Sequence, residues 1–149
     1  MKLSEHFTLN EMTASVTAGR LHIDNSAPVF VIANLRKTSE LLEQVRALLG
    51  GPVIVSSGYR SPELNRAVGG AATSAHVQGL AADFICPRAG DPLHVCQKIA
   101  ASDIEFQQLI FEGTWVHIAA PPEGTAARRQ VLTARFGNGT VWYSSGLQT

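Results

Sequence analysis

Cysteine is scarce in this chain: Cys86 and Cys96 are the only two in 149 residues. Two thiols cannot build a disulfide scaffold, and the pair lacks the Cys-x-x-Cys spacing of thiolate metal sites. Both read as small buried hydrophobes. Net charge is absent too, since 12 basic residues balance 12 acidic ones. A neutral chain has no electrostatic footprint for nucleic acid or an anionic membrane, so neither is expected as a partner. No uninterrupted apolar stretch follows Met1-Lys2-Leu3-Ser4-Glu5-His6-Phe7 at the length of a signal segment or a membrane span. The expectation is cytoplasmic synthesis without a signal peptide and no membrane insertion. Repeats, linkers and low-complexity segments are missing as well. With 45% hydrophobic and 16% charged residues, disorder is excluded. A chain of this length buries about two-thirds of its unfolded surface, enough for a single domain over 1–149.

Turn and cap signals divide the chain into short elements. Thr8 with Glu11 three later forms a capping box that opens a helix over 9–15. Asn25-Ser26-Ala27-Pro28 opens the longest helix; its Val31, Leu35, Leu41, Leu42, Val45, Leu48 and Leu49 approximate helical spacing, and Gly50-Gly51 ends it. A β-branched run predicts a strand over 53–57, then a short helix from Ser61 with Pro62 in its first turn. A strand over 80–85 and a helix from Asp91-Pro92 through Ala101 follow. Strands over 108–111 and 115–119 are joined by a turn at Gly113, and segments 129–134 and 140–143 flank the hairpin signal Phe136-Gly137-Asn138-Gly139. The sum is an α+β fold, a small antiparallel sheet with helices packed on one face and the candidate site on the other.

That site is read from His76 and Asp83, in Ser74-Ala75-His76-Val77-Gln78-Gly79-Leu80-Ala81-Ala82-Asp83, and from His117 in Trp115-Val116-His117-Ile118. Taken singly, a His near a glycine turn is a surface residue and a His in an apolar strand is a satisfied core residue. Taken together, two imidazoles and a carboxylate make the three-ligand shell of a catalytic zinc, with a fourth position open. Arg60 stands where the first strand meets its helix, and the small-residue loop 69–74 lets backbone come close to a ligand. His6, His22 and His94 read as solvated polar residues.

The ordered stretches Ser57-Gly58-Tyr59-Arg60-Ser61-Pro62-Glu63-Leu64-Asn65, Ala67-Val68-Gly69-Gly70, Ser-x-His-x-x-Gly-x-Ala-x-Asp over 74–83 and Trp115-Val116-His117 resemble the zinc D-alanyl-D-alanine carboxypeptidase and L-alanyl-D-glutamate endopeptidase superfamily. Phe7-Thr8-Leu9-Asn10-Glu11-Met12 and Val31-Ile32-Ala33-Asn34-Leu35-Arg36 add to the resemblance, which covers nearly the whole chain and is strongest to short phage and prophage peptidases. It implies a Hedgehog/D,D-peptidase-like architecture, a zinc ion held by His76, Asp83 and His117, and a peptidoglycan stem peptide as substrate. Arg60 matches the arginine that faces the substrate carbonyl or carboxylate. Tyr59 and Gln78, beside Arg60 and His76, are candidates to hydrogen-bond the peptide. Ser74 is a candidate to bind substrate or orient the ligand loop. By the same resemblance the protein works as a monomer at the cell wall or periplasm, reached by a phage-type route.

One position departs from the family pattern. Many relatives carry an acid three residues before the last His as general base, and here that position is Thr114. The nearest upstream carboxylate is Glu112, five before His117. Odd separations in one strand point to opposite faces, so Glu112 serves as base only if Gly113 and Thr114 bend the chain. Asp103 and Glu105 are the competing carboxylates. Two other readings follow: the same site acting as a D,D-carboxypeptidase or dipeptidase in wall recycling, or a catalytically impaired zinc-containing wall-binding or virion structural module.

Overall fold

The computed structural model describes residues 1–148. Its six strands are β1 (Ile54–Ser57), β2 (Ala81–Ile85), β3 (Gln108–Phe111), β4 (Val116–Ala119), β5 (Gln130–Gly137) and β6 (Thr140–Ser145), in the sheet order β1-β2-β4-β3-β5-β6. The helices are α1 (Leu9–Thr13), α2 (Val16–Leu21), α3 (Val29–Leu49), α4 (Pro62–Ala67) and α5 (Pro92–Ala101).

Local chemistry accounts for their limits. The Thr8–Glu11 capping box is present, but α1 stops at Thr13 because Ala14 is extended and Ser15 caps a separate helix, its side chain accepting from the Ala18 N–H. The helix expected over 9–15 therefore ends two residues early, and α2 follows it as a separate helix that the sequence reading did not anticipate. Gly50, at φ 71°, ends α3, and the Asp91 side chain caps α5 by accepting from the His94 N–H.

The α+β expectation is met, with one correction: β3 and β5 run parallel, from Gln108 opposite Gln130 to Phe111 opposite Thr133. The 120–129 connection leaves the end of β4 and passes β3, so β5 starts beside Gln108 and runs in the same direction as β3. Arg129 anchors this crossing, its guanidinium donating to the Ile104 and Ser102 carbonyls at 3.0 and 2.8 Å and standing 4.6 Å over the Phe106 ring. The other pairings are antiparallel.

Strand alternation separates the two faces of the sheet. Ala82 and Phe84 of β2, Leu109 of β3, and Val116 and Ile118 of β4 join the core with Leu35, Leu42 and Val45 of α3 and Val95, Cys96 and Ile99 of α5. Asp83, Ile110 and His117 fall on the opposite face. Both cysteines are buried and unpaired, and burial pushes the Cys96 thiol up to about 12, as a core residue requires. No helix among the described residues is long and apolar enough to cross a membrane.

Candidate metal centre

The sheet register builds the floor of the site. Asp83 of β2 is paired with His117 of β4, and His117 with Ile110 of β3, so the three side chains stand side by side on the face away from the helices. A bulge between Val55 and Ser57 sits opposite Asp83 and turns the chain out of β1 toward this face.

His76 comes from a different element, a single 3₁₀ turn over Ala75–Gln78. The Ser74 hydroxyl starts that turn by accepting from the His76 N–H at 3.2 Å, and Gly79, at φ 75°, ends it. The 57–60 turn then fixes the ring. The Gly58 carbonyl lies 2.7 Å from His76 Nδ1, and the Arg60 N–H donates to the His76 carbonyl at 3.1 Å. A carbonyl only accepts, so Nδ1 carries the proton and Nε2 presents its lone pair to the site. The turn is itself held by α1 and by Asn25. The Tyr59 N–H donates to the Met12 carbonyl at 2.7 Å, and the Asn25 amide donates to Thr13 and Tyr59 carbonyls while accepting from the Ser61 N–H.

Three donor atoms converge. Asp83 Oδ1 lies 3.3 Å from His76 Nε2 and 3.0 Å from His117 Nδ1, and the three residues together could hold a metal ion. Two ligands about 2.0–2.1 Å from a shared tetrahedral zinc stand about 3.3 Å apart, so the observed spacings fit that ion. The second ring nitrogen of His76 rests on a carbonyl, the usual support of a ligating imidazole. Burial opposes the charge of Asp83, but His117 and His76 beside it overrule that effect and hold its carboxyl well below the ordinary range. The donor set is thus one anion and two imidazoles, buried but open on one side to the cleft. The other Asp83 oxygen, Oδ2, takes Arg60 Nη2 at 3.5 Å. Arg60 is further held by Ser57 Oγ at 3.3 Å and Asn65 Oδ1 at 3.4 Å.

Glu112 lies in the same cleft, a cavity of about 480 Å³ lined also by Arg60, Ser74, Asp83, Trp115 and Tyr143. The reason is the hairpin between β3 and β4. Phe111 pairs with Val116, and the Glu112 N–H donates to the Trp115 carbonyl across a two-residue turn with Gly113 at φ 83°. Glu112 is two residues beyond Ile110 and so shares its face, the face of His117. Burial raises the Glu112 carboxyl above its ordinary value; the Asp83 charge adds to the rise, and His117, the Trp115 indole and Arg60 oppose it. The Trp115 Nε1–H is buried with no partner at hydrogen-bond distance, yet it is close enough to favour the Glu112 charge. The Tyr143 hydroxyl is raised by burial and by the charges of Glu112 and Asp83.

Two sequence-based candidates fall elsewhere. Tyr59 is buried in the hydrophobic core, and its N–H donates to the Met12 carbonyl. Gln78 is exposed at the end of the 3₁₀ turn, with its carbonyl accepting from Asn34. Neither is among the residues that line this cleft. Asp103 and Glu105 line a separate depression with Lys37 and Glu40, so they do not compete with Glu112. His22 and His94 are exposed, and His6 bonds Glu43 at 2.7 Å. Sequence reasoning missed Tyr143 and Leu132 of the cleft wall; the signal was present in the hairpin register, which brings alternate residues of β5 and β6 to the face of Ile110.

A buried carboxylate between two imidazoles, opening on a cleft with a free carboxyl group, defines a centre suited to metal-assisted hydrolysis. The family follows from comparison: the profile described as Peptidase M15 matches residues 5–119, and the chain belongs to that family of zinc-dependent, D-alanyl-D-alanine carboxypeptidase-like peptidases. The match ends with β4, so β5 and β6 lie beyond it. No curated protein matches the chain.

Proposed function

We propose that the chain is a zinc peptidase that hydrolyses peptide bonds in peptidoglycan stem peptides, as an endolysin-type endopeptidase or a D,D-carboxypeptidase. It does so as a monomeric single metallopeptidase domain over 1–149, acting at the cell wall. The observation that carries this reading is the convergence of His76 Nε2, Asp83 Oδ1 and His117 Nδ1 beside Glu112 and Arg60 in one cleft.

In this reading His76, Asp83 and His117 would hold the ion. Bound zinc supplies an acidified water and a polarised carbonyl. Glu112 accepts the proton from the attacking water and delivers it to the leaving amine, a role suited to a carboxyl that burial has raised above its ordinary value. Arg60, held in place by Ser57, Asn65 and Asp83, presents its guanidinium to the substrate carbonyl or carboxylate. No side-chain nucleophile is used, in keeping with the buried thiol of Cys96.

The position of Glu112 in the cleft supports the catalytic reading over the non-catalytic wall-binding module that the non-acidic Thr114 had suggested. The deciding experiment is mass spectrometry of fragments released from defined muropeptides by the zinc-loaded protein. One discrete cut is expected, and the fragment masses identify the bond. A zinc-loaded protein that releases no fragment overturns the peptidase reading in favour of the binding module.

A further inference from the structure

We propose that the β5–β6 hairpin forms the specificity wall of this cleft, with Tyr143, Phe136 and Val141 receiving the arm of the substrate peptide on the side of the scissile bond away from Arg60. The inference rests on the peptidase reading for the identity of the substrate, and on separate observations for the wall.

The first observation is register. Ala134 pairs with Tyr143 and Phe136 with Val141, so alternation places Leu132, Phe136, Val141 and Tyr143 on one face of the hairpin. Leu132 is paired in parallel with Ile110, so this is the face of His117 and Glu112. The second is continuity. Leu132 and Tyr143 already line the cleft, and a Cβ placed on Gly113 would meet the Phe136 ring at 3.9 Å, so that ring stands over the turn beside Glu112. The third is exposure: Phe136, Val141 and Tyr143 are 57%, 49% and 52% exposed. A protein surface rarely groups such residues without a ligand for them.

The geometry also gives the direction. Arg60 follows β1 at one edge of the sheet and Tyr143 lies on β6 at the other, with Asp83 and His117 between them. A peptide that meets Arg60 on one side of the scissile bond and crosses the sheet from β1 toward β6 lies against the hairpin on the other. The occupant is the peptide arm, because Leu132, Phe136 and Val141 present an apolar surface that matches methyl and methylene side chains. Since the family match ends at Ala119, this wall is supplied by a part of the chain that the shared family pattern does not reach.

The test compares a full synthetic stem pentapeptide with the shortest stem fragment that the wild type cleaves. The wild type is expected to favour the pentapeptide in KM, and the Phe136→Ser/Tyr143→Ala double variant to lose about tenfold of that preference with zinc content unchanged. Trp142→Ala is the control, because Trp142 pairs with Arg135 on the opposite face; it is expected to keep the preference. Calorimetric binding of the pentapeptide to chelator-treated protein is expected to weaken in the same variants. An unchanged preference and unchanged binding in the double variant overturn the wall. So does an equal loss in Trp142→Ala. A loss seen only with substrates that carry the disaccharide assigns the wall to glycan and overturns the peptide proposal. If the wild type cleaves no stem peptide, the peptidase reading fails, and the calorimetric comparison still decides the wall.

Discussion

Replacing Gly58 by alanine tests whether the outer support of His76 is built as described. A Cβ on Gly58 would stand 2.4 Å from the Met12 carbonyl oxygen, 3.0 Å from its carbon and 3.1 Å from its Cα. All three atoms are backbone, so no rotamer change relieves the clash, and the 57–60 turn and the end of α1 must part by about 1 Å, an overpacking strain. Two bonds lie on that path: the Tyr59 N–H to Met12, and the Gly58 carbonyl to His76 Nδ1, each 2.7 Å long. Lengthening the second by that amount takes it beyond hydrogen-bond range and frees the imidazole to rotate. Overpacking of this kind costs about 1–3 kcal/mol, which in a chain of this size lowers Tm by about 4–8 °C at mid-range. Loss of an outer-shell partner lowers metal affinity by about 10- to 100-fold. Thermal unfolding followed by circular dichroism and zinc titration against a fluorescent chelator read the two effects. Gly19→Ala is the control: it lies in α2 with nothing within 4 Å of its added Cβ, and it is expected to be neutral or stabilising. A Gly58→Ala protein with wild-type Tm and wild-type zinc affinity refutes the account of how His76 is held.

The remaining predictions concern single groups. His76→Ala, Asp83→Ala and His117→Ala are each expected to lose the roughly one zinc per chain of the wild type, set by a three-ligand site; elemental analysis showing full occupancy in any of them removes that ligand. Arg60→Lys is expected to retain zinc and lose much of kcat, because a point charge cannot reproduce the guanidinium fork; unchanged kinetics take Arg60 out of the reaction. Glu112→Gln is expected to keep fold and metal and lower kcat by about a hundredfold or more, with Thr114→Ala mild; a metal-loaded Gln variant with wild-type turnover means that the base is elsewhere. For Glu43, burial disfavours the charge, but bonds from the Ser4 hydroxyl, the His6 N–H and the His6 ring outweigh it and hold the carboxyl below its ordinary value. A depressed carboxyl contributes stability above its unfolded pKa and loses it as pH falls through the folded one. The Tm gap between wild type and Glu43→Gln is therefore expected at pH 7 and should close in acid; a gap that persists below about pH 3 contradicts the linkage.

Much of the fold was legible because the signals were local. The Thr8–Glu11 capping box, Ser61 ahead of Pro62, Asp91 ahead of Pro92 and the double glycine after Leu49 all act within one turn of chain, and each limit appears where its chemistry puts it. What escaped was set by distance. The parallel pairing of β3 with β5 depends on the 120–129 crossing and on Arg129 reaching carbonyls at Ser102 and Ile104, contacts more than twenty residues away in sequence. Tyr59 illustrates the same limit at a single residue. Its place beside Arg60 suggested the cleft, but its side chain joins the core with Met12, Val31 and Leu35, residues distant in sequence.

The cluster of His76, Asp83 and His117 was readable because its residue types are chemically specific, whereas the placement of Glu112 depended on how the chain was counted. Counted along one strand from His117, a separation of five sends the carboxylate to the wrong face, and a bend must be invoked to bring it back. Counted from β3 it is simple: Gln108, Ile110 and Glu112 alternate along the strand, and the register of Ile110 with His117 carries the face across the hairpin. A tight turn reverses direction and preserves the pairing, so residues on its two sides share a face according to their partner and not their separation. On that rule Glu112 and Trp115, opposed across the Gly113-Thr114 turn, belong on the face of His117. Carried two strands further, through Ile110 opposite Leu132 and Ala134 opposite Tyr143, it also puts the proposed hairpin wall, which lies outside the family match, on that face.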